Sequence, residues 1–143
     1  MPSPSKLWKV VQTVELNAPA EDVWAAVGGF FTIHEWHPDI ELTEVPEDQT
    51  RTAEIRRLLT FPGQPKTTEE LVSLDNAERA YSYKWVAGPW GERVQQYAAT
   101  IRVIRSHMDT RSIMQWSSSF VYSEDAVSEF YRNGFRALQK RFE

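Results

Sequence analysis

Apolar and polar positions alternate along the first readable stretch of the chain. From Leu7 to Leu16, Trp8, Val10, Gln12, Val14 and Leu16 share one phase while Lys9, Val11, Thr13 and Glu15 share the other, a period of two that predicts a strand. Asn17-Ala18-Pro19-Ala20-Glu21-Asp22 then supplies a helix start, with Asn17 as a cap, proline in the first turn and two acids near the positive end of the dipole. This short helix turns Val23, Trp24 and Val27 inward and stops at Gly28-Gly29. A second helical stretch from Phe31 to Trp36 runs up to the breaker Pro38.

From Ile40 onward strands alternate with turn signals in the manner of an antiparallel meander. The predicted strands are Ile40 to Pro46, Thr52 to Phe61, Lys66 to Leu74, Ala80 to Ala87, Arg93 to Arg105 and Arg111 to Tyr122. Glu47-Asp48-Gln49, Pro62-Gly63-Gln64-Pro65, Asp75-Asn76, Gly88-Pro89-Trp90-Gly91 and Ser106 to Thr110 separate them. The period changes once more at the end. Ser123 caps a helix with Glu124 and Asp125 in its first turn, and Val127, Phe130, Tyr131, Gly134, Phe135, Leu138 and Phe142 recur at helical spacing before Lys140 and Arg141 close its negative end. One strand, two short helices, six strands and a long helix make an α+β domain, with residues 1–143 expected to form one unit.

Composition narrows the chemistry. The 143 residues contain no Cys, which removes disulfides, thiolate catalysis and thiolate metal sites. Thirteen per cent of the residues are aromatic, six of them Trp, so many large flat side chains need burial. A formal net charge of -4 disfavours nucleic acid as a partner. No apolar run is long enough to span a membrane, and Met1 to Lys6 lacks the apolar stretch of a signal peptide, so a cytoplasmic protein is expected.

The order of elements, with Ala18-Pro19-Ala20-Glu21-Asp22-Val23-Trp24 followed by Glu35-Trp36-His37-Pro38, resembles the START-like (SRPBCC) superfamily of Bet v 1 proteins, polyketide cyclases and abscisic acid receptors. Glu69 to Asp75, Tyr97 after the Gly88-Pro89 turn and the closing helix carry the same likeness, which spans nearly the whole chain. The resemblance implies a helix-grip fold, in which a curved seven-stranded antiparallel sheet wraps a long C-terminal helix. It also implies a cavity for a hydrophobic, lipid-like, aromatic or polyketide-like molecule, without a cofactor, in a monomer or homodimer. It does not fix a reaction, since the superfamily includes carriers, receptors, cyclases and dehydratases.

Strand phase selects the pocket residues. Tyr83, Trp85, Tyr97, Ala99 and Ile101 are expected to point inward, as are Met114, Trp116, Ser118 and Phe120, while Lys84, Gln96 and Arg102 point out. Tyr131, Gly134, Phe135 and Leu138 face them from the helix. Gly134 either leaves room for a ligand or admits a large neighbour such as Trp116. By the resemblance, His37 takes the place of a Lys that meets a ligand carboxylate, and Glu69 that of an inward acid. Residue by residue, His37 either pairs with an anion and moves protons or ends the short helix on a backbone hydrogen bond, and either Glu69 or Glu70 faces inward. Phe61-Pro62 and Trp90 fall where the receptors carry a gate and a latch. Neither motif of the receptors is preserved here, so a hormone-type switch is not expected.

Other motifs carry less. His34 and His37 are three apart, but the remaining imidazole, His107, lies in a predicted turn, and no metal site is expected. Ser117-Ser118-Ser119 lacks the context of a nucleophile elbow, and Gly28-Gly29 that of a phosphate loop. Two functions stay open: a carrier of a hydrophobic ligand, and a cyclase or dehydratase with His37, Glu69 or Tyr97 in proton transfer. A protein-interaction module would need an exposed apolar stripe at the sheet edge, and the sequence shows none.

Overall fold

The computed structural model describes residues 7–47, 49, 53–89, 94–122 and 124–143, and of residues 94, 95, 122 and 124–127 the backbone alone. Met1 to Lys6, Asp48, Thr52, Trp90, Gly91, Arg93 and Ser123, all used in the sequence reading, lie outside them, as do the side chains of Glu124, Asp125 and Val127.

Seven antiparallel strands form one curved sheet in the order β1-β7-β6-β5-β4-β3-β2. They are β1 (Leu7–Leu16), β2 (Leu42–Glu44), β3 (Arg56–Thr60), β4 (Thr67–Asp75), β5 (Ala80–Ala87), β6 (Val94–Arg105) and β7 (Ser112–Tyr122). Helix α1 (Ala20–Val27) and a 3₁₀ turn (Ile33–Glu35) follow β1, and helix α2 (Glu124–Arg141) closes the chain. The helix-grip architecture expected from the sequence is therefore present. β1 and β5 have the predicted bounds, whereas β2 and β3 are shorter than their apolar runs.

The start of α1 differs from the expected one. Pro19, not Asn17, occupies the N-cap, and no side chain caps the helix. Proline fits because its missing N–H belongs to a position that would have no helical partner anyway, and its carbonyl accepts the amides of Asp22 and Val23.

Inner and outer faces of the sheet follow the predicted phases. Val10, Leu16, Tyr81, Tyr83, Tyr97, Ala99, Ile101, Val103, Met114, Trp116 and Phe120 are buried on the inner side against α1, the 3₁₀ turn and α2. From α2, Tyr131, Phe135 and Leu138 complete this core. On β6 the register shifts between Gln95 and Ala98, and Gln96 takes a positive φ of 55°. The extra residue is a bulge that leaves Gln96 exposed and turns Tyr97 into the interior. On the outer face Ser82 hydrogen-bonds Thr100 at 2.8 Å, with Val11 and Val72 exposed nearby.

Candidate functional site

Two adjacent arginines on β3 meet two adjacent glutamates on β4, with Arg56 opposite Glu70 and Arg57 opposite Glu69. Because successive side chains alternate faces, the four split into two pairs. Arg56 and Lys84 hold Glu70 on the outer face at 3.0 and 3.1 Å. Arg57 and Glu69 lie inside.

The inner pair is the most polar feature of the aromatic core. Arg57 is fully buried, and its Nε and Nη2 both donate to Glu69 Oε1, at 2.9 and 2.7 Å. Its Nη1 donates to the carbonyl of Phe30 at 2.7 Å and to the Tyr81 hydroxyl at 3.3 Å. The guanidinium lies over the rings of Phe30 and Tyr83, at 4.2 and 4.7 Å from their centroids. Burial opposes the charge on Arg57, but its phenolic and carboxylate neighbours more than offset this and raise its pKa. Burial also pushes the Glu69 carboxyl above its ordinary range, against the pull of Arg57.

Next to this pair the tyrosines form a hydroxyl network. The indole Nε1 of Trp116 donates to Tyr83 at 3.1 Å, and the hydroxyls of Tyr97 and Tyr131 hydrogen-bond each other. Trp116 stacks on Tyr131 with centroids 4.2 Å apart. Burial raises all four phenols, Tyr81, Tyr83, Tyr97 and Tyr131, so they remain neutral at physiological pH. Among the described residues, Trp36 Nε1, Trp85 Nε1, Thr67 Oγ1 and Ser112 Oγ are buried on this inner side without a hydrogen-bond partner, and Ser118 Oγ lies against the Tyr131 hydroxyl.

His37 is fully buried, and both ring nitrogens are committed. Nδ1 accepts the amide of Asp39 at 3.1 Å, which leaves the proton on Nε2, and Nε2 donates to the carbonyl of Phe130 at 2.7 Å. The ring stacks on Phe130 with centroids 4.0 Å apart. Burial lowers its pKa from 6.5 to about 4, so it is a neutral strut between the 3₁₀ turn and α2. Gly134 faces this ring. A Cβ there would lie 2.7 Å from His37 Cδ2 and 3.1 Å from Trp36 Cζ3. The space opened by Gly134 is thus filled by His37 and Trp36. This corrects the expectation of room for a ligand, and the neighbour is not Trp116.

Phe61 and Pro62 line an open groove of about 460 Å³ beside α2, together with Pro38, Asp39, Phe130 and Asn133. Asn133 is fixed there by a 3.0 Å hydrogen bond to Asp39. Of the sequence candidates, Glu69, Tyr83, Trp85, Tyr97, Trp116, Ser118, Phe120, Tyr131 and Phe135 lie on the inner side, while Phe61 and Pro62 lie at the groove. Arg57 was not anticipated. Two consecutive arginines on a strand put one on each face, but that Arg57 is the inward one follows only from the register that sets it opposite Glu69. Among the described residues no three metal-ligating side chains gather, and no helix is long and apolar enough to cross a membrane.

A curved sheet gripping a C-terminal helix over an aromatic interior with one buried ion pair defines a helix-grip protein of the Bet v 1-like class. The chain belongs to the polyketide cyclase / dehydrase and lipid transport family, whose model matches residues 8–143. The protein XoxI from Bacillus cereus is similar in structure, at 26% identity and TM-score 0.83, with 94% of each chain covered. The ZhuI aromatase/cyclase from Streptomyces sp. R1128 is 17% identical with TM-score 0.72, over 95% of this chain and 93% of that one. Norcoclaurine synthase from Thalictrum flavum, solved with dopamine and hydroxybenzaldehyde, is 18% identical with TM-score 0.71, over 96% and 87%. These last two share the fold. No curated protein sequence matches the chain significantly.

Proposed function

We propose that this protein binds a hydrophobic, aromatic or polyketide-like small molecule between the inner face of the sheet and α2. Tyr83, Trp85, Tyr97, Trp116, Phe120, Tyr131 and Phe135 form the wall, and the groove at Phe61 and Pro62 is the entrance. The observation that supports this reading best is the set of unpartnered polar atoms within an aromatic interior. Buried hydrogen-bonding groups without partners are costly, and a ligand or ordered water is their usual complement. Native mass spectrometry of the purified protein tests it. A noncovalent adduct of a small organic molecule, lost on denaturation, is expected; a bare mass with no uptake of an added aromatic compound contradicts the proposal.

A second reading, a cyclase or dehydratase in the same interior, is favoured by Glu69. Its pKa is raised by burial, and Oε2 takes no hydrogen bond from a described residue, which supports proton exchange with a ligand. Tyr97 supplies a neutral hydroxyl in the same core. His37 contributes no proton in this scheme, because both its nitrogens are engaged by backbone. Glu69→Gln and Tyr97→Phe separate the readings. Turnover of a bound substrate lost while binding is retained supports the enzyme, whereas binding alone, with no turnover in any form, supports the carrier.

A further inference from the structure

The polar groups of the interior differ sharply in what they have left to offer. Arg57 is the buried cation among the described residues, and four of its five N–H donors are assigned: Nε and one Nη2 donor to Glu69, both Nη1 donors to Phe30 and Tyr81. Its faces are covered by Phe30 and Tyr83. Its charge is balanced by the carboxylate it touches, since a guanidinium buried to this extent is costly without an ionised partner. His37 is neutral and bonded at both nitrogens. No other described cation is buried.

What remains unspent is one carboxylate oxygen, the second Nη2 donor of Arg57 and a small set of neutral groups. Glu69 Oε2 accepts no hydrogen bond from a described residue, and its side chain keeps 10% of its accessible surface. Directly across the sheet from Glu69 is Trp85, whose indole N–H is buried without an acceptor. Thr67 Oγ1, two residues before Glu69 on the same face, is likewise buried and unpartnered. An acceptor and a donor therefore occupy opposed positions on neighbouring strands, with the Thr67 hydroxyl on the same face.

Resting on the binding reading above, we infer that the ligand is an uncharged hydroxylated aromatic, its hydroxyl donating to Glu69 Oε2 while the same oxygen accepts from Trp85 Nε1, and that carboxylates are rejected. An anion entering this end would meet the Glu69 carboxylate, and the one buried cation among the described residues, Arg57, has its charge already balanced by that carboxylate; the anion would lose its hydration as well. A phenol or enol keeps its proton and satisfies both orphan groups. Ligand selection thus follows from an ion pair that neutralises itself and leaves one oxygen over.

The test uses three probes of one shape and different heads, measured by calorimetry at pH 7 on the full chain: naphthalene, 2-naphthol, which is neutral there, and 2-naphthoate, which is ionised. Naphthol is expected to bind roughly tenfold or more tightly than either of the others, the worth of one charge-assisted hydrogen bond. Glu69→Gln leaves Arg57 without its counter-charge, so the preference should invert, with naphthoate gaining and naphthol losing affinity. Trp85→Phe, which removes the N–H and keeps the ring, serves where Glu69→Gln fails to fold; naphthol should weaken severalfold and naphthalene hardly at all. Naphthoate binding the unaltered protein as tightly as naphthol overturns the inference while the cavity stands. If none of the three binds, naphthalene included, the cavity reading itself is overturned and the inference falls with it.

Discussion

The imidazole of His37 occupies the space that a side chain at Gly134 would take, and from there Nε2 reaches the Phe130 carbonyl one turn earlier on α2 at 2.7 Å. A missing side chain on one element thereby admits a hydrogen bond from another, and the 3₁₀ turn is pinned to the closing helix. The consequence for stability is specific. Gly134→Ala gains about 1 kcal/mol of helix propensity, but its methyl would sit 2.7 Å from His37 Cδ2. Overpacking of this kind costs about 1–3 kcal/mol. Net destabilisation is expected in urea unfolding, and in a His37→Ala background the same substitution should be near neutral. Equal effects in both backgrounds would contradict the contact.

The same histidine sets an acid limit. Its pKa is lowered from 6.5 to about 4 by burial. Between these values the unfolded chain binds a proton that the folded chain does not, so this contribution to stability is intact above 6.5 and declines as pH falls through about 4. At about 1.4 kcal/mol per unit of pKa, the loss approaches about 3 kcal/mol. Urea midpoints at neutral pH and at pH 4.5 measure it. His37→Leu should show a shallower acid slope than the unaltered protein, whose slope also contains carboxylate contributions.

Arg57 and Glu69 should behave as one unit. Removing either partner alone leaves the other buried and uncompensated, at a cost of about 3–5 kcal/mol. Arg57→Met and Glu69→Leu are each expected to destabilise severely, while the double variant recovers most of the loss. A double-mutant cycle in denaturant reads the coupling directly, and additive effects would mean that the pair contributes little as a pair. Arg56 and Glu70, on the wet outer face, should show coupling below about 1 kcal/mol.

The faces of the sheet were legible from the sequence because period-two alternation needs no knowledge of partners. Tyr83, Tyr97, Ala99, Ile101, Met114, Trp116, Ser118 and Phe120 all lie on the side their phase assigns. The occupant of the space at Gly134 was not legible, because His37 is 97 residues away and no local pattern ties the two. Arg57 was overlooked for a different reason. A charged residue on a strand reads as solvent-facing until its cross-strand partner is known, and the register joining it to Glu69 runs through the Phe61 to Lys66 turn. The cap of α1 was misassigned to Asn17 because a side-chain cap is the commoner device, whereas here the carbonyl of Pro19 begins the helix.

The claim that an aromatic molecule sits between sheet and helix is tested most directly by the six indole N–H resonances in an NMR titration with 2-naphthol. Trp85 is unpartnered in the interior, Trp116 is bonded to Tyr83, and Trp24 is bonded to Asn76 on the surface, so each reports a different place. The account predicts saturable shifts of the Trp85 and Trp116 signals while Trp24 stays fixed. Movement of the Trp24 signal alone, or no movement of Trp85 at saturation, would contradict it.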